Sequence, residues 1–212
     1  ASTDGSLTEI RNSFGSDPRI TVVENSENVG HAEGCNIGAK NTEGKYLVFL
    51  DSDTEFKAEN WLWELVKFME NDDSVGSAQA KLVLAEDKNY LDYVCVNVDA
   101  LGTWAANYGS KAEKLNESFE ILAASAGCCI IRRDIFEQVG GFDPDYFIYD
   151  DDTDLSLRVR LPANAANSRT YHCRDSQRRS EPGLYSDART GARPAAISYQ
   201  RRRGAVQQLS ED

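Results

Sequence analysis

Apolar residues in this chain come in short runs divided by polar turns, and their spacing changes repeatedly between that of a strand and that of a helix. Tyr46-Leu47-Val48-Phe49-Leu50, set between Glu43-Gly44-Lys45 and Asp51-Ser52-Asp53, predicts a strand buried on both faces of a parallel sheet. Ile20-Thr21-Val22-Val23 predicts another, β-branched strand. Ser2-Thr3-Asp4-Gly5-Ser6 is a turn able to cap a short helix through Ile10 and Phe14, and Asn28-Val29-Gly30 opens a loop into a helix over 34–41. The spacing of Trp61, Leu62, Leu65, Val66, Phe68 and Met69 predicts an amphipathic helix over 61–71, followed by a strand over 75–84. Alternation of this kind argues an α/β domain with a mostly parallel sheet and helices on its faces.

The pattern loosens over 90–119, which reads as irregular or antiparallel structure. Residues 121–124 and Gly127-Cys128-Cys129-Ile130-Ile131 then resemble a buried strand. Arg132-Arg133-Asp134 starts a short helix that Gly140-Gly141 ends, and Phe142-Asp143-Pro144 turns the chain toward Tyr146-Phe147-Ile148-Tyr149. An acid run, Asp150-Asp151-Asp152-Thr153-Asp154, precedes a helix through Leu155, Leu157 and Val159. Beyond Leu161 the apolar periodicity fades, so 1–160 reads as the domain and 161–212 as an extension, partly irregular or disordered, or held against the domain.

Charge divides the chain at the same place. Residues 1–160 carry 30 acids against 14 Lys and Arg, whereas 161–212 carry 9 Arg, no Lys and 5 acids. A body this acidic is a poor binder of nucleic acid, and a phosphate-bearing ligand would need a metal ion to screen repulsion. The Arg-rich tail suits contact with the acidic body or with anionic lipid, a peripheral membrane contact. Five cysteines (Cys35, Cys95, Cys128, Cys129 and Cys173) without CxxC spacing argue for reduced thiols. No segment approaches a membrane span, and the first residues carry no secretory signal pattern. The expected location is cytoplasmic, at the inner face of the membrane if the tail engages lipid.

Two acid groups are candidates for chemistry. Asp51 and Asp53 follow a strand end, where ligands of open α/β sheets bind, and offer hard oxygen donors to a divalent cation. Equally, Asp and Ser at such a junction can cap local backbone groups. Asp150, Asp152 and Asp154 alternate as in a calcium loop, but Leu155 stands where that loop needs Gly and Leu161 where it needs an acid. Acids at a helix start favour its dipole. Four in five residues incur repulsion that capping does not require, which points to a chemical use for at least one.

Asn28-Val29-Gly30, Gly34-Cys35-Asn36-Ile37-Gly38 and Gly44 through Asp53 resemble the donor half of an inverting family 2 glycosyltransferase of rhamnosyltransferase-like type. Gly127 through Arg133, Val139 through Asp143, Tyr146-Phe147 and Asp151 through Arg158 resemble its acceptor half. The resemblance implies a GT-A fold, a nucleotide-diphosphate-sugar donor, a saccharide or lipid-linked acceptor, and Mn²⁺ or Mg²⁺. It implies metal binding by Asp53, with Asp51 beside the ribose and diphosphate and sharing the metal, and donor binding around Asn28, Gly30 and Asn36. Asp152 would be the general base, and Asp151 stands where Glu is usual. His172 is the candidate for the family's metal-binding His, while His31 belongs with the donor loop or helix start. Trp104, Tyr108 and Tyr146 are candidates for stacking on sugar rings.

Against the family pattern the sheet is expected to be N-terminally incomplete, and pairing with a second copy of the chain is one way to cover the resulting edge. Two further readings stay open. An inactive or scaffold GT-A domain would keep the fold without donor affinity, although Asp51, Asp53 and Asp152 would then be unused. A sugar nucleotidyltransferase would also set acids at strand ends, with a Gly-rich phosphate loop that is not found here.

Overall fold

The computed structural model describes residues 1–56, 58–92, 96–98, 104–106, 109–114, 117–161, 168–172 and 198–201. Its elements, in chain order, are α1 (Ser6–Phe14), α2 (Gly30–Lys40), β1 (Tyr46–Leu50), β2 (Thr54–Phe56), α3 (Trp61–Glu70), β3 (Val75–Gln79), β4 (Lys81–Leu84), β5 (Val96–Val98), β6 (Trp104–Ala106), β7 (Phe119–Glu120), β8 (Cys128–Arg132), α4 (Arg133–Gln138), α5 (Asp151–Arg160), β9 (Arg169–His172) and β10 (Ser198–Arg201).

The apolar runs at Tyr46–Leu50 and Cys128–Arg132 pair with each other, from Tyr46 opposite Arg132 to Leu50 opposite Cys128. Because side chains alternate along a strand, Leu47, Phe49, Cys129 and Ile131 face one core and Tyr46, Val48, Cys128 and Ile130 the other. The first core is closed by Ala32 and Ala39 of α2, Ile135 and Phe136 of α4, Phe142, and Leu155 and Val159 of α5. The second is closed by Leu65 and Met69 of α3, both without solvent exposure. Helices therefore cover both faces, as the apolar runs predict.

Strand direction is where the expectation of a mostly parallel sheet is corrected. The main sheet has the order β1-β8-β3-β9-β7, and of its four pairings only β3 with β9 is parallel. A buried run of β-branched and aromatic residues reports burial on both faces and does not report the direction of its neighbours. The stretch over 75–84 divides at Ala80, where the amide donates to Cys128 O at 3.1 Å, and β4 leaves for a second sheet of order β2-β10-β4. Ile20-Val23 forms no strand, since no neighbour pairs with it among the described residues. The helix read over 34–41 begins earlier, at Gly30. β9 brings residues from beyond Leu161 into the main sheet, with Thr170 fully buried between Ser77, to whose hydroxyl its own is bonded at 2.9 Å, and the rest of the core.

Two arginines at the end of β8 fasten helices on opposite faces. The Arg132 guanidinium donates to Met69 O at 2.6 Å, a carbonyl at the end of α3, and to Val75 O at 2.8 Å at the start of β3, while Arg133 donates to Ala39 O at 3.2 Å at the end of α2 and to Gly44 O at 2.6 Å in the loop before β1. Helix ends leave such carbonyls without intrahelical partners. Replacing Arg132 with Ala strands them inside the protein and is expected to destabilise by about 2–3 kcal/mol, read as a lower urea midpoint with an unchanged slope.

Candidate active site

The site forms where β1 and β8 end and α2 and α5 begin. Asp51 leaves β1 with its amide bonded to Gly127 O at 3.2 Å, and its carbonyl accepts from Thr54 N at 3.1 Å, closing the Asp51-Ser52-Asp53 turn. On the other strand, the backbone amides of residues 124–127 are each taken by a side chain: Ala124 by Ser156 Oγ at 3.0 Å, Ser125 by Gln79 Oε1 at 2.8 Å, Ala126 by Asp152 Oδ2 at 3.1 Å and Gly127 by Ser125 Oγ at 3.2 Å. Adjacent residues 126 and 127 thus touch Asp152 and Asp51 respectively. The two acid groups that lie about half the chain apart in sequence become neighbours.

His31, the second residue of α2, ties them more directly. Its Nδ1–H donates to Asp151 Oδ2 at 2.6 Å, and its Nε2 lies 3.6 Å from Asp51 Oδ1 and 3.6 Å from Cys35 Sγ. The Asp151 side chain is only 5% exposed, so the imidazole neutralises a buried charge. Asp151, then Asp51, then Cys35 push the His31 pKa up to about 12. The ring also meets Phe142 edge-on, with centroids 6.1 Å apart. His31 stands at a helix start, one of the two places its sequence context offers, but its bridge to Asp151 was not legible there, because the carboxylate that holds it lies 120 residues away.

The remaining acids separate by environment. Asp152 is half-buried, and burial raises its pKa above the ordinary carboxylate value, with the neighbouring Asp151 charge adding to the shift. Asp154 is paired with Arg158, whose guanidinium also donates to Val139 O and Gly141 O at 2.7 Å, clamping α5 to the turn before it. Asp150 adopts a left-handed backbone (φ 62°), and its carbonyl accepts from Asp154 N at 2.9 Å.

Around Asn28, Gly30 and Asn36 the geometry is mainly architectural. Asn28 Oδ1 accepts from Gly30 N at 3.1 Å. Gly30 has φ 80°, and a β-carbon there would come within 2.5 Å of Phe147 O, a clash that any other residue would meet. Asn36 is buried and exchanges two hydrogen bonds, both 2.9 Å, with the backbone of Phe142, so its amide serves the fold. Tyr146 packs partly buried against the first core. Burial pushes the Cys128 thiol up to about 12 and Cys129 well above its ordinary value, which keeps both protonated. Tyr108 lies outside the described residues; Trp104 is placed by its backbone in the β5–β6 hairpin.

His172 ends β9 in one row with Gln79 of β3, Cys129 of β8 and Phe49 of β1. It shares the sheet edge with the Asp51 turn, but three strand spacings, about 14 Å, separate its backbone from that of β1. Among the described residues no group of three His, Cys, Asp or Glu gathers in metal-binding geometry. The hard oxygens of the Asp51 turn fit the mode in which one or two carboxylates hold Mg²⁺ or Mn²⁺ and substrate phosphates and water complete its shell.

A mixed sheet covered by helices on both faces, with carboxylates gathered where β1 and α5 meet, is the architecture of a GT-A domain, and solved structures share it. The structure titled GalNAc-T7 with UDP, GalNAc and Mn²⁺ aligns at TM-score 0.65 and 17% identity, over 95% of this chain and 36% of the other. The mannosyltransferase PcManGT of Pyrobaculum calidifontis, in complex with GDP-Man and Mn²⁺, aligns at 0.54 and 20%, over 84% and 46%. The model of glycosyl transferase family 2 matches residues 1–140, and the chain belongs to that family. It is also similar to the O-antigen biosynthesis protein RfbC of Myxococcus xanthus, 26% identical over 175 residues, which are 78% of this chain and 14% of that protein. The chain therefore spans about one seventh of that relative's length.

The protonated form of His31 is favoured up to about pH 12 in the folded protein and only to about 6.5 in an unfolded chain. Its contribution to stability is complete below that lower value and declines as pH rises toward the upper one. With EDTA present, His31→Ala is expected to lower stability by about 2 kcal/mol or more at pH 6, and the gap to the parent chain should narrow by pH 10 in urea titrations.

Proposed function

We propose that this domain is a metal-dependent inverting glycosyltransferase that moves a sugar from a nucleotide-diphosphate donor to a hydroxyl of a saccharide or lipid-linked acceptor. The observation that carries this reading is Asp152, a half-buried carboxylate with raised pKa, fixed through Ala126 N one residue from the Gly127 carbonyl that holds the Asp51 turn. Family membership, and the UDP and GDP-Man named with Mn²⁺ for the two structural relatives, support it.

In this reading Asp152 is the general base. Its Oδ2 is oriented by the Ala126 amide, and Thr153 Oγ1 donates to Oδ1 at 3.3 Å, leaving lone pairs free to accept the acceptor's hydroxyl proton. As that proton passes to Asp152, the acceptor oxygen bonds to the anomeric carbon, and the bond from that carbon to the diphosphate breaks with its electron pair leaving on phosphate. Attack opposite the leaving group inverts the centre, so no covalent enzyme intermediate is required. Asp51 and Asp53 would hold Mn²⁺ or Mg²⁺, which when bound supplies charge neutralisation for the diphosphate. Asp151 acts through His31, keeping the first turn of α5 against the start of α2. Gly30 and Asn28 shape the donor loop, and His172, the further metal ligand that the family resemblance implies, ends β9 at the same sheet edge. The Arg-rich segment 161–212 suits, by its charge, contact with the acidic body or with anionic lipid at the inner membrane face.

Calorimetric titration of UDP, GDP and dTDP with and without Mn²⁺ tests the donor site: metal-dependent binding of one nucleotide, lost in Asp53→Ala, is expected, and no binding of any of the three would overturn the proposal. Asp152→Asn should leave that binding intact and lower turnover about 10²- to 10⁴-fold. The acidic limb of the parent's rate profile should lie above the usual carboxylate range, because Asp152 must be ionised to act and burial favours its protonated form; that limb should vanish in Asp152→Asn.

A further inference from the structure

Tyr149 and Asp150 both sit in the left-handed region, with φ of 70° and 62°, and they are the non-glycine residues for which the structure records positive φ. Asn and Asp tolerate this region; a bulky aromatic does so at a steric penalty from its β-carbon. Turn geometry alone would therefore favour Gly or Asn at 149. The strained backbone instead presents the Tyr149 side chain to solvent at 70% exposure, beside Phe147 at 54% and Ile148 at 55%. Three adjacent large apolar residues are thus left uncovered while Tyr146, one position earlier, packs into the core.

The patch is anchored from below. His31 N donates to Phe147 O at 2.7 Å, and the close approach of Phe147 to Gly30 fixes it over the start of α2. Asp152 is three positions beyond Tyr149, so their Cα atoms are at most about 10 Å apart. Asp145 and Asp150, both exposed, flank the patch in the chain, two residues before Phe147 and one after Tyr149. Acids of this density repel an anionic bilayer but accept hydrogen bonds from hydroxyl groups. An apolar aromatic face rimmed by acceptors matches a neutral pyranose, which offers a C–H face and a ring of hydroxyl donors.

We propose that Phe147, Ile148 and Tyr149 form the acceptor subsite, on which a neutral sugar ring stacks against Tyr149 with a hydroxyl directed toward Asp152. The identity of the occupant as acceptor rests on the glycosyltransferase reading; the binding of a pyranose does not. Strain at Tyr149 is then retained for binding, which sets stability against function at one residue.

Saturation-transfer NMR on the 212-residue chain, with methyl glycosides of hexoses, 6-deoxyhexoses and N-acetylhexosamines at millimolar concentration, tests this. At least one glycoside is expected to bind through its C–H face, to weaken about three- to tenfold in Tyr149→Asn, as loss of an aromatic contact implies, and to recover in Tyr149→Trp. The thermal midpoint of Tyr149→Asn should equal or exceed that of the parent. Equal affinity in the parent and Tyr149→Asn, no glycoside bound at all, or a lowered midpoint in Tyr149→Asn would each overturn the proposal. Sedimentation with phosphatidylglycerol–phosphatidylethanolamine vesicles that depends on Tyr149 would overturn it in favour of a membrane contact. Nucleotide binding without glycoside binding removes this subsite and leaves the activity standing, whereas glycoside binding without nucleotide binding does the reverse.

Discussion

Strand β8 runs antiparallel to both β1 and β3, and the rest of the domain is hung from its two ends. Its alternating side chains divide the interior into two cores, one under α2, α4 and α5 and the other under α3. At its C-terminal end Arg132 and Arg133 satisfy carbonyls of α3 and α2 on opposite faces. At its N-terminal end the preceding amides are taken by Gln79, Asp152 and Ser156. A shift of β8 by one residue would exchange its two faces, break both arginine clamps and separate Asp152 from the Asp51 turn.

The site is correspondingly an electrostatic compromise. Asp51, Asp151 and Asp152 lie close enough for mutual repulsion to matter, and without ligand part of it is offset by a single imidazolium between two of them. Asp152 lacks such a cation and its pKa rises with burial. The three carboxylates therefore have three electrostatic conditions: one at the turn, one neutralised and buried, one oriented by backbone and ready to accept a proton.

Much of the candidate site was legible from residue type and position. The apolar run before Asp51 marked a strand end, and the acid run before Leu155 marked a helix start; both stand where expected. Their meeting was not legible by local pattern, since it depends on hydrogen bonds such as that between His31 and Asp151, 120 residues apart. Asn36 illustrates the converse. Its place in a motif suggested a ligand contact, yet its amide is used by the Phe142 backbone, because a buried polar group must find a partner inside the fold.

The chain by itself determined that the Tyr46–Leu50 and Cys128–Arg132 runs are buried, that helices cover both faces, and that carboxylates cluster at element ends, because burial and capping follow local period and side-chain chemistry. It also determined family membership, which lies in residue order. Only the tertiary structure decided strand direction, the division of the 75–84 stretch between two sheets, the entry of Arg169–His172 into the main sheet and the pairing of His31 with Asp151. These depend on which distant segment arrives as neighbour, and an apolar surface with unpaired backbone groups accepts either direction until a particular strand satisfies it.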